Sequence, residues 1–145
     1  MGKFYDNSII PTSLKRNFDV YDRVEKLGIN LGSFEDNVTD LTGAGIAGIV
    51  FHESGLVYLS GLGLGPGNMY DDPDRIEEGQ AAAQDIADEM IKRLHWGIVC
   101  GKEGGDLNDV LYTIKALGMV VSTDVDFNGA PSVVNGFSFR WQSVF

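Results

Sequence analysis

An α+β fold, a mixed β-sheet with helices packed on one face, is what this sequence predicts, and three stretches carry that expectation. Gly45 to Phe51 (GIAGIVF) and Leu56 to Ser60 (LVYLS) are short β-prone runs joined by His-Glu-Ser-Gly, the pattern of a β-hairpin. Ile76 to Leu94 carries one apolar stripe at helical spacing. Tyr112 to Ser138 joins an apolar run to a helix through a polar bend. Strands thus stand on both sides of a helix without βαβ alternation, which favours α+β over a doubly wound sheet.

Taken in order, residues 1–11 read as a polar and apolar arm ending at Pro11. Thr12 or Ser13 can cap a leader helix over 12–28, with Leu14, Phe18, Tyr21, Val24 and Leu27 on one side and Gly28 closing it. Residues 29–44 lack periodicity and read as a loop. After the hairpin, Gly61, Gly63, Gly65 and Gly67 alternate, but neither a dinucleotide fingerprint nor a Gly-Lys-Ser/Thr phosphate loop is present. Backbone amides lining a pocket are the better use of those glycines.

The central helix has Asp74 as its candidate cap, with Ile76, Ala83, Ile86, Ala87, Met90, Ile91 and Leu94 facing a core. Its acids are early and Lys92 and Arg93 late, which suits the helix dipole. Trp96 to Asp106 reads as a Gly-rich connection. In the last block Tyr112, Ile114 and Ala116 alternate with Thr113 and Lys115 before Leu117-Gly118-Met119-Val120-Val121, the pattern of a strand. Ser122 to Gly129 supplies turn chemistry, and Pro131 suits the first turn of a helix carrying Val133, Val134, Phe137, Trp141 and Val144.

Composition sets limits on function. A chain of 145 residues with 43% apolar and 22% charged residues is most simply one globular domain. A net charge of −10, with eleven scattered Lys and Arg, argues against a nucleic-acid surface. A single cysteine, Cys100, cannot form an internal disulfide, and neither His52 nor His95 has a motif that would make it a nucleophile's partner. With no leader-like start and no apolar run of membrane-span length, a cytoplasmic setting away from membranes is expected. The carboxylates of the central helix lack a Glu-x-x-His partner, so no metal site is expected, and no cofactor either.

Several blocks carry a resemblance. LVYLSG at 56–61, EEGQAAA at 77–83, GGDLNDV at 104–110 and STDVDFNGAPSVVNGFS at 122–138 resemble, in the same order, segments of the Rid (YjgF-like, endoribonuclease L-PSP-like) family of reactive-intermediate deaminases. YDRVEKLGINL is similar to the leader helix of one Rid subgroup. The resemblance implies a chorismate-mutase-like fold assembled as a homotrimer with pockets at its interfaces. It also implies hydrolysis of small enamine or imine acids to a keto acid and ammonia, with an arginine holding the substrate carboxylate.

Candidate ligand-binding groups follow from strand ends and bends: Tyr58, Ser60, the backbone at Gly61, Thr123 and Asn135. These hydrogen-bond a small polar ligand but supply no strong acid or base, so no catalytic residue is assigned. The chain departs from the family pattern after Val144-Phe145, where the family's Arg-Ser strand and final strand would follow. With those C-terminal strands missing, a non-catalytic ligand-binding or regulatory role is the alternative expectation. The ribonuclease role attached to some family members is opposed by the acidic composition.

Overall fold

The structure, a computed structural model, describes residues 16–33, 49–51, 55–63 and 72–145. The chain divides into two compact units: Met1–Gly61 with Lys92–Tyr112, and Leu62–Ile91 with Thr113–Phe145.

In the first unit, helix α1 spans Val20–Lys26. Asp19 caps it, its carboxylate accepting from the Tyr21 amide at 2.9 Å. The residue before the cap, Phe18, lies under the Arg23 guanidinium at 3.3 Å, a cation–π contact where many helices place an apolar staple. The helix ends as the sequence expects: Gly28 takes φ +68°, its amide donates to Glu25, and the Ile29 amide donates to Val24. That pair of bonds, with Ile29 and Val24 both buried, is a Schellman closure. The start differs from expectation. Arg16 to Asp19 are not helical, and Thr12 and Ser13, the expected caps, lie outside the described residues.

Strands β1, Ile49–Phe51, and β2, Val57–Leu59, pair antiparallel with Val50 opposite Tyr58. Among the described residues this is the only ladder. The expected mixed β-sheet with helices on one face, and with it the chorismate-mutase-like architecture, is therefore corrected: the described chain is mostly helical.

Helix α2 spans Ile76–Gly101, well past the expected end at Leu94. Residues 96–101, read as a Gly-rich connection, stay helical because Ile98 continues the stripe of Ala87, Ile91 and Leu94, all four buried. Gly97 costs helix propensity, about 1 kcal/mol relative to alanine, and burial of the stripe offsets it. Before the helix, Asp72 rather than Asp74 is the capping residue, accepting from the Asp74 amide at the single turn Pro73–Arg75.

Helix α3, Ala130–Val144, begins with Pro131 in its first turn, as expected. It buries Val133, Gly136 and Val144. Gly136 is there by necessity: a Cβ on it would stand 2.1 Å from the Gln80 carbonyl oxygen of α2, so only glycine permits this approach of two backbones. Gln80 then donates its side-chain amide to the Ser132 carbonyl at 2.9 Å. Leading into α3, the Ser122 hydroxyl accepts from the Asp124 amide and the Asp124 carboxylate accepts from the Asp126 amide, the turn chemistry the sequence indicates.

Residues 112–121 overturn the remaining strand expectation. They form no strand: no partner among the described residues completes a ladder, and Ile114 lies at a bend. The segment rests on α3 instead. Gly118 faces the Val134 side chain, and the Trp141 indole donates to the Thr113 hydroxyl at 2.7 Å.

Candidate functional site

The five residues expected to line a ligand site are all exposed, but they are distributed over the two units. Tyr58 stands on β2 and is more than half exposed; Ser60 and Gly61 follow at the strand's end. Thr123 lies in a bend ahead of α3, and Asn135 sits on the exposed side of α3. Tyr58, Ser60 and Gly61 are thus grouped by sequence alone. Thr123 and Asn135 belong to the second unit. Among the described residues, no metal-binding group of three or more His, Cys, Asp or Glu occurs.

Arg140, the arginine nearest to the Asn135 helix position in sequence, is already engaged. Its Nε and a terminal nitrogen donate to the two carboxylate oxygens of Asp88, each at 2.7 Å, a bidentate pair. The carboxylate raises the guanidinium pKa above its ordinary value, mainly through that hydrogen bond, so the pair stays ionised.

A polar cluster that sequence reasoning missed lies in the first unit. The Tyr21 hydroxyl accepts from the Leu107 amide at 3.2 Å and lies 2.9 Å from His95 Nδ1. The hydroxyl can still donate its own proton to Nδ1 in the tautomer that carries the imidazole N–H on Nε2, or accept from Nδ1–H in the other. Burial lowers the His95 pKa, opposed by the nearby Asp106 carboxylate, and burial raises that of Tyr21. Both therefore favour their neutral forms. Around them, Asn108 accepts from the Val20 amide at 2.9 Å and donates to Asp19 at 3.1 Å. Asp106 and Asp109 close a capping box on the turn Leu107–Asp109, and Lys102 pairs with Asp109 at 2.8 Å. The Trp96 indole donates to the Leu31 carbonyl.

Chemically this cluster resembles a fastening more than a reaction centre. The Leu107 amide donates to the Tyr21 hydroxyl, which also meets the imidazole. No local signal announces it, since Tyr21 and His95 are 74 residues apart. Cys100 is exposed near the end of α2.

Comparisons of the chain with protein-family models, with curated proteins and with solved structures found no match. No helix among the described residues is long and apolar enough to cross a membrane.

Proposed function

We propose that this chain acts on small enamine or imine acids, releasing a keto acid and ammonia in the manner of the Rid-like proteins its sequence blocks resemble. The observation that carries the reading is the ordered series LVYLSG, EEGQAAA, GGDLNDV and VNGFS. It is supported by the direct packing of two of those blocks, in which Gly136 of VNGFS meets Gln80 of EEGQAAA backbone to backbone. The candidate ligand groups of this reading remain those taken from the sequence: Tyr58, Ser60, Gly61, Thr123 and Asn135. A cytoplasmic setting and assembly into a homotrimer, as in the family, belong to the same proposal.

The bidentate engagement of Arg140 by Asp88 favours a second reading, a protein that binds such acids without turning them over. No free cation on α3 is then at hand to hold a substrate carboxylate. One experiment separates the two. Ammonia release is followed while 2-aminoacrylate is generated in the presence of the protein, and the melting temperature is read with small keto acids added. Acceleration over buffer supports the deaminase. A ligand-dependent rise in melting temperature without acceleration supports the binding protein, because a ligand of the native state must stabilise it. Neither effect removes both.

A further inference from the structure

We propose that Asn128 is a site of spontaneous deamidation, its side-chain amide lost by cyclisation onto the Gly129 nitrogen, and that the fold protects Asn135, the other asparagine that precedes a glycine. The sequence holds two Asn-Gly pairs, Asn128-Gly129 and Asn135-Gly136. Glycine favours this reaction because it has no Cβ to obstruct the approach of its own nitrogen to the preceding side chain. Ring closure is intramolecular, so its rate depends on how readily the backbone reaches the attacking geometry. The two pairs differ in that respect. Asn128 is exposed in the non-helical lead into α3, and among the described residues neither its side chain nor the Gly129 N–H makes a hydrogen bond. Gly129 is buried, but against side chains, the Phe127 ring and Ile76. Asn135 is exposed as well, whereas Gly136 is buried inside α3, its N–H committed to the helix and its backbone set against the Gln80 carbonyl. Attack by the Gly136 nitrogen therefore requires α3 to open, while attack by the Gly129 nitrogen requires a local rotation ahead of the helix.

Water is the only co-reactant. The Gly129 nitrogen gives up its proton and bonds to Asn128 Cγ; the bond from Cγ to the side-chain nitrogen breaks, and that nitrogen leaves with the proton as ammonia, closing a succinimide. Water then adds at one of the two ring carbonyls. Addition at Cγ breaks the new Cγ–N bond and leaves aspartate. Addition at the main-chain carbonyl breaks its bond to the Gly129 nitrogen and leaves isoaspartate, with the chain running through the former side chain. Either product sets a carboxylate just ahead of Gly129, the cap of α3, where no side chain caps the helix. Negative charge near a helix N-terminus is favourable, so the fold does not oppose the product. Asn135, a candidate ligand group, keeps its amide.

Incubation of the full chain, folded and in guanidinium chloride, at neutral and mildly alkaline pH tests the proposal. Peptide mass spectrometry locates each converted residue by fragmentation and separates isoaspartate from aspartate by elution. The incubation runs until the unfolded chain has lost both amides, which fixes the time scale. In the folded protein Asn128 should convert to both products, faster at the higher pH, and Asn135 should convert at least about ten-fold more slowly, because its reaction waits on opening of a buried helix. Asn128→Gln, at an exposed position, should abolish the conversion, since glutamine must close a larger ring, and Asn135→Gln should leave it unchanged. An Asn128 that keeps its amide throughout in the folded protein overturns the proposal. So does an Asn135 that converts at a comparable or greater rate. Should a variant lose its fold, the unmodified protein decides alone.

Discussion

The two units are held together by different physics. In the first, α1 is tied to the turn at Leu107–Asp109 by side chains reaching across the sequence: Asn108 takes the orphan Val20 amide, and Tyr21 takes the Leu107 amide while meeting His95. In the second, α2 and α3 touch backbone to backbone at Gly136, with one ion pair beyond. A unit fastened by titratable hydrogen bonds should respond to pH and to single polar substitutions. One fastened by close approach should ignore pH and respond to volume.

The largest effect is expected from volume. Gly136→Ala puts a methyl group 2.1 Å from the Gln80 carbonyl oxygen, and neither group is a flexible side-chain tip that can move aside. Overpacking of this kind costs roughly 1–3 kcal/mol and more where backbone must shift, so urea denaturation should show a loss at or above the top of that range. Gly61→Ala, where a Cβ meets nothing within 4 Å and φ is not positive, should leave stability within about 0.5 kcal/mol. Equal losses from the two would remove the argument for close approach.

Next in size is the polar side of the comparison. Asn108→Ala leaves the Val20 amide without its acceptor and Asp19 with the Tyr21 amide but without the Asn108 donor, and a lost cap of this sort costs about 1–2 kcal/mol. Asn108→Asp sharpens the test. It keeps an acceptor for Val20 but sets a second carboxylate against Asp19, and should recover little of the loss at neutral pH.

The pH response separates the units directly. Because burial lowers the His95 pKa below its usual 6.5, the unfolded chain binds the proton more readily. Stability from this group is complete above about 6.5 and is lost as pH falls through the lower, folded value. Tyr21 works in the other direction: with its pKa raised above 10.0, its contribution is complete below that value and lost as pH rises through the folded one. The chain has two tryptophans, and they fall one to each unit. Fluorescence of Trp141→Phe, which leaves Trp96 as reporter, should show acid destabilisation that His95→Phe flattens. A Trp96→Phe protein reporting from Trp141 should show none in that window.

What could be read in advance follows the same division. Gly28 and Pro131 act through their own backbone preferences, so their roles were legible locally. The stripe of α2 was legible as far as Leu94 and missed beyond it, because Trp96, Gly97 and Gly101 look like a loop until burial of Ile98 is known. The Tyr21–His95 pair joins residues too distant for any pattern to connect. Residues 112–121 show the limit of alternation: it reports β-preference, but a strand exists only where a second one accepts its hydrogen bonds. The candidate ligand residues were read as polar groups at strand ends and bends; Tyr58 stands within a strand, Thr123 at a bend and Asn135 on a helix. Convergence into a cleft is a property of tertiary placement that no spacing of theirs encodes.

The smallest effect concerns the ion pair, and it bears on function as well as on stability. Asp88 and Arg140 keep 28% and 20% of their side-chain surface, so water screens part of their attraction. Asp88→Asn should therefore cost only about 1 kcal/mol, diminishing at high salt. It also takes the Asp88 carboxylate away from the Arg140 guanidinium. If Arg140 is purely a tie between α2 and α3, small keto acids should bind Asp88→Asn no more tightly than the unmodified protein, and Asp88→Asn and Arg140→Gln should lose similar stability. If carboxylate ligands instead bind Asp88→Asn more tightly while Arg140→Gln abolishes the gain, the ion pair competes with ligand. The two helices would then be joined by a contact that ligand binding can replace, and the sharp division between a titratable unit and a volume-limited one would no longer hold.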